Sequence, residues 1–483
     1  MSTVSSKNIT WYIHSAIVVF FMFGFGYVVP PFGAISQMGM HVLGVFIGLL
    51  WGWIAIEILW PSVLGCIAFG MTGYMTVPEV FSAGFGNSTV LNVLLACLFA
   101  EILNQCKITD YIADKCLGSK WIEKNPWNLV VMFFVADLLL SIFTSNVAAF
   151  FLLTAALEKV AKEAGYEKGN RFIVYMICSI LFIGVLGAMI LPFQVACILF
   201  TGFFTSTTGL SIGYVPYTIY MLIITLVQII VLFLSGKFVF RFDLSALQKC
   251  SDTFKDKRGK KMNFEQKWGF IFIVLFVILL FIPAFLPDKW YITQLMNNWG
   301  LSGVAAFLLV LSAIVKKMDG KQLVNIREVC IRGIPWDIIW LLVATFPLAT
   351  AMESEECGIM ATVIGAISGT LGAMNPLVLI ILSMVVLGII TQFVHNVVLA
   401  AMFIPMLSTL CISIGGDAYA LFFCIYFALQ AAYATPGASM QGAMMFGHPW
   451  VGRKDGFFYG SLFLIITFIT LIIPGIPLAG VMF

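Results

Sequence analysis

The stretch NPLVLIILSMVVLGIITQFVHNVVLA, residues 375–400, is an apolar run whose end carries Thr391, Gln392, His395 and Asn396. Hydrogen-bonding side chains inside such a run are costly in lipid and are kept where a site or a pathway uses them. The pattern occurs twice. At an offset of 250 residues, NPWNLVVMFFVADLLLSIFTSNVAAF (125–150) lies over it without a gap, and seven of the twenty-six positions are identical. Asn125 and Pro126 match Asn375 and Pro376, Ser141 matches Thr391, Ser145 matches His395, and Asn146 and Val147 match Asn396 and Val397.

Composition says what surrounds these two stretches. Hydrophobic residues make up 61% of the 483 positions and charged ones 10%, more apolar surface than a soluble core can hide. A crossing helix needs about 20 apolar residues, and the runs allow about ten to twelve crossings, so the expected class is an all-α polytopic membrane protein of about 11 transmembrane helices. A barrel would show short alternating segments instead. The first run, 11–30, is too long and too poorly followed by a small-residue cleavage site to read as a removable signal peptide.

Charge placement orients the chain, because basic loops stay cytoplasmic. The segment from Lys237 to Lys267 carries nine Lys or Arg against four acids and is placed in the cytoplasm. Topology explains that cluster, so no nucleic-acid partner is expected. The expected division is a first half, 1–240, a basic cytoplasmic linker, 241–267, and a second half, 268–483. The eleven cysteines show no CxxC spacing and mostly lie in apolar runs, as small core hydrophobes do.

Each polar run is followed by an interrupted one, GVLGAMILPFQVA (184–196) and LQAAYATPGASMQGA (429–443). Proline removes a backbone donor and glycine weakens a helix, so both segments free carbonyls and amides where water is scarce. Interrupted segments at corresponding places in two halves point to a transporter's binding site near the bilayer midplane. The polar runs are also long. Residues 127–157 as one helix would span ~46 Å at about 1.5 Å per residue, against a hydrocarbon core of ~30 Å. A re-entrant hairpin tipped by Ser-Asn or His-Asn would use that length, and so would a long tilted helix with a polar notch; periodicity does not separate them.

The tip residues suit cations and anions together. Asn146 and Asn396 each offer a carbonyl oxygen to a cation and two donors to an anion's oxygens. Ser141, Ser145 and Thr391 add hydroxyl oxygens of the kind hard cations take; the competing reading is that such side chains only glue helices together. No Lys or Arg stands beside the tips, so an anion there would be neutralised by co-bound cations, amides and helix N-termini. His395 could donate to a carboxylate or carry a coupling proton, or sit neutral against a neighbouring carbonyl. Asp137 lies inside the first run, where an acid is a functional candidate, yet its counterpart Leu387 puts it outside the shared apparatus.

On these stretches the chain resembles the divalent anion:sodium symporter family of the wider ion-transporter superfamily. FSAGFGNSTVLNVLLACLFAEIL (81–103) and GIPWDIIWLLVATFPLATAM (333–352) look like that family's segments leading into each hairpin. The resemblance implies two inverted repeats, a dimerising scaffold domain and a transport domain that moves elevator-fashion. It implies one sodium at Ser141, Ser145, Asn146 and backbone near Gly187, and a less secure second at Thr391, Asn396 and backbone near Ala434. Substrate contacts would come from Ser145, Asn146, Val147, His395, Asn396, Val397, Pro192, Thr435 and Pro436. The chain departs from the family at both tips, where threonines have become Val147 and Val397, and one serine has become His395. Lost hydroxyls would leave a sulfate's oxygens unpaired at about 1–3 kcal/mol each, which favours a carboxylate with an apolar portion.

The expected protein is therefore a homodimeric, sodium-coupled symporter of an organic anion, among lipids of the cytoplasmic membrane. A proton-coupled carrier or an exchanger is the rival within transport, and an anion channel the rival outside it. A membrane enzyme would need a nucleophile with its base or a metal set, and the chain has no HExxH, no GxSxG and only His14, His41, His395 and His448. Walker-type phosphate loops are absent as well, which argues against direct ATP drive.

Overall fold

The computed structural model describes residues 2–250, 261–317, 320–359, 361–362, 375–435 and 439–483; there every element is helical apart from one isolated bridge, Lys316 to Gln322. Helix α1 (Ser2–Val19) continues through a π-turn to Val28 and is followed by α2 (Gln37–Ala55), α3 (Leu59–Phe69), α4 (Val77–Phe85), α5 (Ser88–Gln105) and α6 (Ile108–Leu117). The first polar run forms α7 (Pro126–Phe143) and α8 (Asn146–Glu163), and the first interrupted segment α9 (Arg171–Ile190) and α10 (Val195–Thr208). After α11 (Tyr214–Leu234) come α12 (Phe264–Phe285), α13 (Tyr291–Ile314), α14 (Ile326–Arg332) and α15 (Trp336–Glu353). The second polar run gives α16 (Pro376–Ile390) and α17 (Asn396–Ser413), the second interrupted segment α18 (Ala418–Gln430) and α19 (Met440–Gly447), and α20 (Arg453–Thr470) follows.

Among the described residues, ten helices are long and apolar enough to cross a membrane, or eleven with the bent pair formed by α14 and α15, whose axes meet at 62°. The protein is thus an all-α, multi-pass membrane protein. Part of the basic linker, residues 251–260, lies outside the described residues, as does Pro436. Helix α13 is two helical pieces that meet at a kink, where Gly300 takes φ +54° and ψ −162°. Of the ten cysteines whose side chains are described, nine are buried, and all ten are free thiols.

The polar runs break. Phe143 ends α7, Asn146 starts α8, and Thr144 between them has φ −131° and ψ −121°. Both helices pack along α9, along the short α6 and against the 3-10 turn Ser245–Cys250, so they lie side by side as a hairpin. The second run does the same: α16 and α17 both pack on the 13-residue α18, and Gly416 has Pro376 from the start of α16 and Cys411 from the end of α17 as neighbours. A notched straight helix would have carried the second arm beyond these partners.

The two hairpins follow one design far past the stretch where residues are identical. Asn125 accepts the N–H of Trp127 at 2.9 Å and Asn375 that of Leu377 at 2.9 Å, each ahead of a proline in the first helical turn, where a missing donor costs nothing. Helices α8 and α17 are both 18 residues long and stay in step at the 250-residue offset. Each ends on a left-handed glycine, Gly165 at φ +78° and Gly415 at φ +73°, with the closing six-to-one bond made by Tyr166 N–H to Ala161 O and Gly416 N–H to Cys411 O, both 2.8 Å. Three residues fewer then separate the second glycine from the next cap, Asp417, than separate the first from Asn170.

Helices α9 and α18, downstream of the hairpins, are apolar around their whole circumference and take the centre of the molecule. In α9 94% of the span is buried, against 17% in the peripheral first helix. The halves interlock there: α10 packs on α17, α9 on α19, and Phe182 of α9 stacks on Phe463 of α20 at 4.8 Å. The two lead-in segments also meet. Gly84 lies against the carbonyl of Val343, so closely that a Cβ would stand 2.6 Å from it, and Phe85 sets its ring 5.2 Å from Trp340.

Candidate functional site

Both interrupted segments open where the sequence places proline. Helix α9 stops at Ile190 and α10 restarts at Val195; α18 stops at Gln430 and α19 restarts at Met440. With the hairpins' second arms, four helix N-termini begin inside apolar sequence, each bearing unsatisfied N–H groups and a partial positive charge.

In the first half, Ser145 caps α8 by accepting the Ala148 N–H at 3.4 Å, and Asn146 is the first residue of that helix. The Asn146 side chain makes no hydrogen bond among the described residues. One turn back on α7, the fully buried Ser141 donates to Asp137 Oδ1 at 3.5 Å. Gly187 of α9 fits against this face: a Cβ on it would stand 2.8 Å from Ser141 Cβ and 3.2 Å from the Leu138 carbonyl. Gln194 Nε2 donates to the Ile142 carbonyl at 2.8 Å and so ties the interrupted segment to the hairpin tip. Pro192 is buried at the floor of a cavity of about 260 Å³, which Thr89, Asn92, Thr201 and Tyr214 also line. Val147, half-buried, follows Asn146.

The second half makes the tie from the other side. The buried Thr391 donates to the Leu429 carbonyl at 3.1 Å, and Asn396 Nδ2 donates to Gln430 Oε1 at 2.6 Å. Asn396 Oδ1 accepts the Val397 N–H at 2.9 Å, and His395 Nδ1 accepts it at 3.3 Å. Val397 itself is buried. Gln392 is the hub. Its amide donates to Gly388 O and Ala431 O, both at 2.8 Å, its Oε1 accepts the Ala434 N–H at 2.8 Å, and its backbone carbonyl accepts the Thr435 hydroxyl.

The structure thus gathers Ser141, Asn146 and Gly187 on one side, and Thr391, Asn396, Ala434 and Thr435 on the other. Sequence reasoning passed over Gln392, Gln430 and Gln194. A signal was present, since Gln392 stands in the opening stretch and Gln430 and Gln194 flank the breaks; what was missing was the question of which side chain replaces the hydrogen bonds that a broken helix forfeits. Gly187→Ala is expected to lower stability by about 1–3 kcal/mol, the usual cost of overpacking, because the new methyl meets Ser141 and backbone together. A thermal melt in detergent reads this, and unchanged melting would mean that α7 and α9 part freely.

Helical spans, paired hairpins and broken helices of this kind define a membrane transport protein. The sequence profile of the citrate transporter family, CitMHS, matches residues 46–428, and the chain belongs to that family. It is 23% identical over 467 residues to the sodium-dependent dicarboxylate transporter SdcS of Staphylococcus saprophyticus, covering 92% of this chain and 88% of that one. With SdcS of Staphylococcus aureus strain USA300 it shares 24% identity over 433 residues, 86% of this chain and 81% of the relative. Its fold is similar to that of the YdaH transporter of Alcanivorax borkumensis, with a TM-score of 0.55 over 83% of this chain and 88% of that one at 15% identity.

Proposed function

We propose that the protein is a sodium-coupled symporter that imports an organic di- or other carboxylate across the cytoplasmic membrane. The observation that carries this is the pairing of each hairpin with a broken helix around an asparagine and a hydroxyl, with no lysine or arginine at either tip. A carboxylate bound there finds amide donors and helix N-termini but no fixed cation, so mobile cations complete its charge balance. Ser141, Ser145, Asn146 and the backbone near Gly187 form the first sodium site; Thr391, Asn396 and the backbone near Ala434 form the second. Val147 and Val397 present apolar contacts where hydroxyls would suit sulfate, which favours a carboxylate with an apolar portion. The relatives' names as sodium-dependent dicarboxylate transporters support both the cation and the substrate class. The two halves act as inverted repeats in a homodimer whose hairpin-bearing part moves against the rest.

Purified protein melted with a panel of carboxylates and sulfate, in sodium or in choline, tests the reading. A ligand at a hundredfold excess over its Kd stabilises the folded state by about 2.7 kcal/mol. A carboxylate shift that requires sodium is expected. A shift indifferent to sodium would replace this reading with a proton-coupled carrier or an exchanger, with His395 the group to test next.

A further inference from the structure

We propose that Asp137 supplies the charge of the first cation site, where a sodium ion sits among its carboxylate, Ser141 and Asn146 against Gly184; this rests on the symporter reading above and goes beyond it in making the two cation sites unequal. Asp137 is fully buried on α7. Its Oδ1 accepts from Ser141 at 3.5 Å, while its Oδ2 is buried and has no hydrogen-bond partner. No ion pair among the described residues reaches it. Protonated on Oδ1, the acid can share its proton with Ser141 Oγ, but ionised it leaves Oδ2 without a donor. A buried charge in that state needs a partner ion.

The neighbouring backbone marks where the partner goes. A Cβ on Gly184 would stand 3.4 Å from Ser141 Oγ, 3.6 Å from Asp137 Oδ1 and 3.6 Å from Asn146 Cβ. Three residues from two helices therefore face one point, and the residue beneath that point has no side chain to fill it. Carboxylate, hydroxyl and amide oxygens are the hard donors that an alkali cation takes. The second half has no equivalent acid, since Leu387 stands in register with Asp137 and is buried. A cation at the first site is neutralised by Asp137 and binds without substrate. A cation at the second site has no buried carboxylate in register with Asp137 to neutralise it and binds together with the carboxylate substrate.

Sodium titrations of the purified protein without substrate, read as thermal shift against choline, separate these cases. Asp137→Asn keeps the shape and the hydrogen bond to Ser141, and Gly184→Ala adds a methyl that meets its neighbours only at ordinary contact distances. Each variant is expected to raise the half-saturating sodium concentration at least tenfold. A merely structural aspartate would leave the midpoint unmoved in Asp137→Asn, and an empty space would accept the methyl with no change in Gly184→Ala. If Asp137→Asn does not fold, Gly184→Ala decides alone. Wild-type midpoints in the variants overturn the aspartate site and leave the symporter standing. A wild-type protein indifferent to sodium overturns both.

Discussion

Asn146→Ala and Asn396→Ala are each expected to abolish sodium-driven uptake in proteoliposomes while the protein still elutes as one folded species. Each substitution removes a carbonyl oxygen from a cation and amide donors from the anion. Hydrogen bonds to charged groups are worth about 1.5–3 kcal/mol each, roughly 10- to 100-fold in affinity, and a coupled cycle needs both cations bound at once. The two differ in their cost to the fold. Asn146 makes no side-chain hydrogen bond among the described residues, so its loss should leave melting unchanged, whereas Asn396 gives up its 2.6 Å bond to Gln430 and should melt slightly lower. Transport at the wild-type rate in either variant would remove that asparagine from the binding site.

Gln392→Leu is expected to cost about 3 kcal/mol or more and to give little folded protein. The amide is nearly fully buried and meets three backbone groups, two of which, Gly388 O and Ala434 N–H, have no other partner. The Gln392 N–H bonds to Ile389 O, so the Gly388 carbonyl is left to the side chain at the end of α16. In the interrupted segment Ala434 N–H has lost its helical partner, while Ala431 O would keep only the Tyr433 N–H at 3.1 Å. Each buried group stranded in this way costs about 1–3 kcal/mol, and the membrane interior supplies no water in exchange. Gln392→Glu, which as a neutral acid keeps the acceptor for Ala434 N–H and one of the two donors, should fall between. Melting of the leucine variant within about 2 °C of wild type would show that the interrupted segment holds itself together without the glutamine.

Most of the architecture could be read before any coordinates. Helical spans follow from the length of apolar runs, and the duplication from two stretches in step at an offset of 250 residues. The register proves longer than the identities suggest, because Gly165 and Gly415 close both hairpins with the same bonds although the sequences around them differ. Whether a polar run folds back or continues straight could not be read. Thr144 and Ser145 carry no proline or glycine, and the break is held by what α7 and α8 pack against.

What the sequence determined by itself is local: apolar length, the Asn-Pro helix starts, the breaks near Pro192 and Thr435, and the polar residues at the ends of two matching apolar runs. Only the tertiary structure decided which of those groups are spent on holding the breaks together and which remain free for ligands. Gln194 reaches 52 residues back to Ile142, Thr391 reaches 38 forward to Leu429, and Gln392 reaches 42 forward to Ala434. Asp137 faces Gly184 only because α9 packs against α7. A hydrogen bond or a cation cage is a relation between atoms that the chain brings together by packing, and such relations leave no period in the sequence.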